Sequence, residues 1–368
     1  MGTLQEYVEW RGDLTFSQAP FCEVDNLIFS GIAYLDFQRI VPASLSAAPV
    51  SFLAAMKKYV NRRKGELKNI GLLFSPESVA LAVRAARSER FGSTYMIGYV
   101  NRVSEEAGKQ FSAVTFLIGE DICFVAFRGT DDTLVGWKES LSLSFASPVP
   151  SQKEAVKYLK GVAEAFPNRR LFLGGHSKGG NLAVWAAVKC RPEVNARIEL
   201  VYSNDSPGFS RDFIRGESYA VTKGRIRALV PVSSVVGMLF EHDDRYEVVQ
   251  STQTGIFQHD PLSWEVLGGH FVHLEAISEE SKRIDRTFKK WMSETGAEHK
   301  KQVIETMYHI LSANARTLTE LNADKTKIVK AWNSFDDETK RAILRFARLV
   351  MKNSRKSRGT LASAPDRA

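Results

Sequence analysis

The stretch from Leu171 to Asn181, LFLGGHSKGGN, constrains this chain more than any other, because it sets a G-x-S-x-G pentapeptide between a strand-like and a helix-like apolar run. A serine on so sharp a strand-to-helix turn has strained backbone angles, and the residues two before and two after it must be small for the turn to close. Gly175 and Gly179 meet that demand, and Gly180 extends it. Upstream, Arg170, Leu171, Phe172 and Leu173 read as a short buried parallel strand, and downstream Leu182 to Val188 read as a buried helix face. The start of that helix aims unpaired N–H groups and the positive end of the helix dipole at the serine oxygen, which suits a developing oxyanion. Ser177 is therefore the first residue to suspect of chemistry, against the plainer role of capping a helix in a Gly-rich turn.

The surrounding pattern fits a large α/β unit. Residues 1 to about 90 read as helices and short loops, with helical spacing over Asp25 to Asp36 and Val50 to Val60 and a helix-start signal at Ser75, Pro76 and Glu77. A strand-rich block follows at Thr94 to Asn101, Phe111 to Ile118 and Ile122 to Phe127, the last two joined by a hairpin at Gly119, Glu120 and Asp121. Then come a helix over Gln152 to Phe166, the elbow, and strands at Ile198 to Ser203, Ile226 to Pro231 and Tyr246 to Ser251. Strands alternating with helices predict a mostly parallel central sheet with an antiparallel leading edge. The expected division is a domain over 1–275 that includes the N-terminal helices, a helical extension over 276–352 and a disordered basic tail over 353–368.

Composition excludes several alternatives. With 368 residues, 44% of them hydrophobic, the chain can bury a sizeable core. No apolar run approaches the roughly 20 residues that span a bilayer, and the start MGTLQEYVEWRGD has neither a basic n-region nor an apolar h-region, so a cytoplasmic location is expected. Cys22, Cys123 and Cys190 are widely spaced and read as reduced packing residues. The formal charge of +8 owes part of its excess to Lys352, Arg355, Lys356 and Arg358, and no helix-turn-helix, zinc-finger spacing or RNP-like strand points to nucleic acid. A basic surface in peripheral contact with acidic phospholipid is a further expectation, with the N-terminal helices as a lid.

A nucleophilic serine needs a base. His176 lies inside the elbow, and His299 and His309 lie in charged C-terminal helices, which leaves His242, His259, His270 and His273. In this strand-turn-helix arrangement the histidine comes last, on a loop after the final strand. His259, in GIFQHDPLSWEV, fits best. His270 and His273 with Glu275 have the spacing of metal ligands but lack a further ligand set nearby, so no metal and no cofactor is expected. Two regions offer the acid: Asp205 at the end of the strand Ile198 to Ser203 is favoured, with Asp243, Asp244 and Asp260 as alternatives. For the oxyanion hole, the backbone N–H of Lys178 follows the nucleophile, and Thr130 closes the loop after the strand Ile122 to Phe127.

FRGT at Phe127 to Thr130, Trp137, GGHSKGG at Gly174 to Gly180 and HDPLSW at His259 to Trp264 together resemble the class 3 lipase branch of the α/β-hydrolases. With NDSPGF at Asn204 to Phe209 they resemble more closely the Mbeg-like proteins, a bacterial lipase-like family of unknown function, over about residues 1 to 350. The resemblance implies an α/β-hydrolase fold with an N-terminal helical segment and a C-terminal helical extension, and a small-molecule ester or lipid substrate; the same residues would also serve cleavage of amide or thioester bonds. It implies Ser177 as nucleophile, His259 as the late histidine and Thr130 in the oxyanion hole. Two departures stand out. Ser234 occupies the place where class 3 lipases carry their aspartate, so either Asp205 serves instead or the triad is incomplete and the chain is a binding or scaffold protein. Lys178 stands where lipases commonly have leucine, as a cation beside the nucleophile that either helps to hold an oxyanion or reaches solvent.

Overall fold

The computed structural model describes residues 2–63, 76–243, 245–294, 296–313, 315–323, 325–337, 340, 341 and 344. Asp244, Ser75 and the basic residues from Lys352 onward lie outside this set. Among the described residues the chain forms β1 (Val50–Ser51), β2 (Tyr95–Ser104), β3 (Lys109–Ile118), β4 (Ile122–Phe127), β5 (Arg170–His176), β6 (Ile198–Asn204), β7 (Ile226–Pro231), β8 (Tyr246–Val249), β9 (Val266–Leu267), β10 (His270–Phe271) and β11 (His273–Leu274). Nine of these make one sheet in the order β1-β2-β3-β4-β5-β6-β7-β8-β11. β4 to β8 run parallel, and β1 to β3 form an antiparallel edge ahead of them.

Every residue of β4 is buried, as expected of a strand with helices over both faces of its sheet. One face carries the helices Pro150–Ala165 and Lys178–Lys189, whose Leu159, Val162, Leu182 and Ala186 meet Val125, Leu171 and Leu173 in one apolar cluster. The other face is covered by the N-terminal helices, with Phe29 packed 4.5 Å, centroid to centroid, from Phe116. Those helices are thus a layer of the core and not a lid. A buried ion pair pins them: the Arg90 guanidinium grips both oxygens of Asp25 and donates to the carbonyl of Ala19. That matches the rule that buried charges persist where every polar atom has a partner.

Several expected boundaries shift. Val50 and Ser51 pair with Met96 and Tyr95, and the helix starts only at Phe52, capped by the Ser51 hydroxyl. Cross-strand pairing at the sheet edge overrides the helical spacing there. Three short strands beyond the expected set, β9 to β11, fold back so that β11 pairs with β8. Beyond residue 276 the described chain is helical, at Glu279–Glu294, Ala297–Ser312, Leu318–Ala323 and Lys325–Ser334. This arm is fastened to the loop after β4: Leu134 N donates to Arg316 O, Leu318 N donates to Asp132 O, and the Lys138 ammonium lies 4.6 Å from the Tyr308 ring centroid.

Candidate active site

β5 ends at His176, and Ser177 then takes φ 57° and ψ −132°, a left-handed conformation that a non-glycine residue adopts only where its surroundings hold it. Those surroundings are close-packed backbone. A Cβ on Gly179 would overlap the Phe127 carbonyl oxygen, and one on Gly175 would overlap the backbone of Gly179. The two glycines therefore let β4, the turn and the following helix approach to contact. Ser177 N donates to Asn204 O at 2.9 Å, tying the turn to the end of β6.

The residue that follows β6 is Asp205, also at positive φ (44°), with its N–H donating to Leu229 O on β7. Both residues thus sit at the C-terminal ends of neighbouring parallel strands, where side chains in α/β sheets converge. Asp205 is fully buried, and its Oδ2 lies 2.6 Å from His259 Nδ1. Its Oδ1 accepts from the Ser234 hydroxyl and from Gly237 N. Ser234, after β7, is thus a hydrogen-bond donor to the carboxylate that stands one strand nearer the elbow. Asp243 instead lines a separate cavity with Tyr219, Lys223 and Arg245, and Asp260 caps the short turn Pro261–Ser263 through Leu262 N.

The loop that carries His259 is braced along its length. Trp264, wholly buried, donates from Nε1 to Gln258 O, and the Gln258 side chain accepts from Ser233 N. With Nδ1 turned to Asp205, His259 Nε2 is buried and has no hydrogen-bond partner among the described residues. His176, set aside in the sequence as an interior elbow position, has a part of its own: its ring stands 4.3 Å from that of His259, and its Nε2 lies 2.8 Å from His259 O. A carbonyl only accepts, so Nε2 carries the proton, while Nδ1 lies 3.4 Å from the Tyr34 hydroxyl, which donates to His176 O at 3.3 Å. Burial, and then the neighbouring His259, push His176 well below its ordinary pKa, so it stays neutral.

Around the expected oxyanion donors the structure corrects one reading. Lys178 neither reaches solvent nor has its ammonium free for an oxyanion: Nζ is buried and donates to Gln110 O, Gln110 Oε1 and Glu139 Oε2 at 2.8, 2.6 and 3.0 Å. Burial pulls its pKa below the usual range and Glu139 opposes that pull. As the first helical residue, Lys178 has a backbone N–H with no acceptor within the helix. The Thr130 hydroxyl is 2.5 Å from that of Ser140. Gln110 and Glu139 carried no motif in the sequence, and only their position under the elbow marks them.

The metal-like spacing of His270, His273 and Glu275 resolves otherwise. His273 Nε2 is 2.9 Å from Glu23 Oε1, and the acids gathered around His273 are Glu23 and Glu247. Glu275 is not among them. Glu23 Oε1 also accepts from Phe271 N, which fastens the N-terminal layer to β10.

The strand order and the strand-turn-helix elbow are those of an α/β-hydrolase fold. Within that class a family model described as Mbeg1-like matches residues 85–309, more than half of the chain, and the chain belongs to that family. No curated protein matches the sequence. Among solved structures the chain is similar to lipase II from Rhizopus niveus (13% identity, 64% of this chain and 82% of that one, TM-score 0.38). It is also similar to Lip2 lipase from Yarrowia lipolytica (13% identity, 53% and 74%, TM-score 0.35) and to the Rhizomucor miehei lipase propeptide complex (15% identity, 62% and 68%, TM-score 0.37). No helix among the described residues is long and apolar enough to cross a membrane.

Proposed function

We propose that this chain is a serine hydrolase that cleaves carboxylic esters of small molecules or lipids through an acyl-enzyme. The observation that carries the reading is the buried contact of Asp205 with His259 Nδ1, which leaves the buried Nε2 free of any hydrogen bond among the described residues, in a chain whose elbow serine is held at positive φ. In this reading His259 Nε2 takes the Ser177 proton as the serine oxygen adds to the ester carbonyl. The backbone N–H groups of Lys178 and Thr130 hold the resulting oxyanion. Collapse expels the alcohol, which takes the proton from the imidazolium. Water, deprotonated in turn by His259, then releases the acid and restores Ser177. Asp205 holds the imidazole tautomer throughout, and no cofactor takes part.

The rival reading of a decayed triad rested on Ser234 in the place of the acid. Its bond to Asp205 Oδ1 speaks against that reading, because Ser234 here serves a carboxylate supplied by β6. The test is incubation of the purified protein with a fluorophosphonate probe beside Ser177→Ala and His259→Ala, with the modified peptide mapped by mass spectrometry. Labelling at Ser177 that is lost in Ser177→Ala and strongly slowed in His259→Ala is the expected result. A folded protein that stays unlabelled would overturn the proposal.

A further inference from the structure

Lys178, Gln110 and Glu139 lie buried together beneath the elbow, and the mechanism above uses none of their side chains. They join four elements that are distant in sequence: the start of β3, the helix Leu134–Ser142, the helix Pro150–Ala165 and the helix Lys178–Lys189. Glu139 Oε2 accepts from Lys178 Nζ and from Gln110 N, and its Oε1 accepts from Ser151 N at 2.8 Å. Placing a lysine and a glutamate wholly inside a protein strips both ions of their hydration, and an apolar pair of similar volume often serves stability as well. The cluster therefore calls for a role besides cohesion.

The Gln110 side chain supplies one. Its Oε1 is 2.6 Å from the Lys178 ammonium, a group that only donates, so the amide is turned with Nε2 on the other side. Nε2 there donates to Gly129 O at 3.4 Å. In a trans peptide the C=O and the next N–H point in opposite directions. Holding Gly129 O toward Gln110 turns the Thr130 N–H away from the cluster, while the Thr130 hydroxyl is held by Ser140 on the helix that carries Glu139.

We infer that Lys178, Gln110 and Glu139 are positioning residues: the buried ammonium sets the Gln110 amide, and that amide sets the direction of the Thr130 N–H that receives the oxyanion. This rests on the serine-hydrolase reading. It gives Lys178 two separate parts, its backbone N–H as a donor and its side chain as the anchor that aims the other donor.

The decisive variant is Gln110→Glu, which keeps length and an acceptor for Lys178 but has no N–H for Gly129 O. Gln110→Met, which removes the N–H without adding a charge and takes the Oε1 acceptor of Lys178 with it, serves should Gln110→Glu fail to fold. With p-nitrophenyl butyrate as probe substrate, kcat and the rate of fluorophosphonate labelling should fall about 10- to 100-fold, less than or comparable to loss of a whole oxyanion donor. KM should change by no more than about twofold, because the ground-state carbonyl gains least from that donor. Phe29→Leu, a trimming in the N-terminal layer, provides a comparison of similar or greater loss in Tm and should keep kcat. A wild-type protein that is not labelled overturns the hydrolase reading and this inference with it. A labelled wild type beside a folded Gln110 variant labelled at the same rate overturns the positioning role alone, as does a kcat loss that Phe29→Leu reproduces.

Discussion

Asp205 and His259, 54 positions apart and both buried, meet at 2.6 Å between Oδ2 and Nδ1. The carboxylate is supplied from the strand next to the elbow strand, and its second oxygen is occupied by Ser234 and Gly237 N. One oxygen thus orients the imidazole while the other is locked in place.

Asp205→Asn should preserve the fold, since asparagine tolerates positive φ as aspartate does. Its amide can present an N–H to Nδ1 and favour the wrong tautomer. We expect kcat on an aryl ester to fall about 10⁴-fold with KM little changed. Steady-state kinetics on the folded variant checks this, and a loss below about tenfold would contradict the orienting role of Asp205.

Ser234→Ala removes one of the two donors to Asp205 Oδ1 and leaves Gly237 N. A hydrogen bond to a charged group contributes about 1.5–3 kcal/mol, so a rate reduction of roughly tenfold or more is expected if the freed carboxylate shifts away from His259. An unchanged kcat would mean that Gly237 alone fixes the carboxylate.

Arg90→Met leaves Asp25 buried without its cation, although Tyr7 and Cys22 N still donate to it. The expected cost is about 3–5 kcal/mol, read as a lower urea midpoint with an unchanged m-value. A loss under about 1 kcal/mol on the same measurement would show that the pair contributes little to seating the N-terminal layer.

Acid should destabilise the fold through two neutral histidines. Burial lowers His242 from 6.5 to about 4, and burial with His259 lowers His176 well below 6.5. Below pH 6.5 the unfolded chain takes up protons at both positions while the folded chain does not. Stability is therefore full above that pH and declines as pH falls toward about 4. Thermal melts from pH 7.5 to 4.5 should show a falling Tm, and His242→Gln should flatten the slope. An identical slope in the variant would remove His242 from this account.

What the sequence by itself determined is local. The elbow is legible because its glycine spacing, the apolar strand before it and the apolar helix after it are neighbours along the chain, and the steric demand of the turn acts over five residues. The alternation of strands and helices is legible for the same reason. Edges are less so: Val50 has helical spacing, yet pairs with Met96 because a strand edge 46 positions downstream offers it hydrogen bonds. The tertiary structure decided which acid faces His259: the sequence favoured Asp205 but left Asp243, Asp244 and Asp260 open, and the strand order brings Asp205 to Nδ1. It also decided that the Lys178 side chain turns inward, because the acceptors that make a buried ammonium tolerable, Gln110 and Glu139, lie 68 and 39 positions away and carry no local signal.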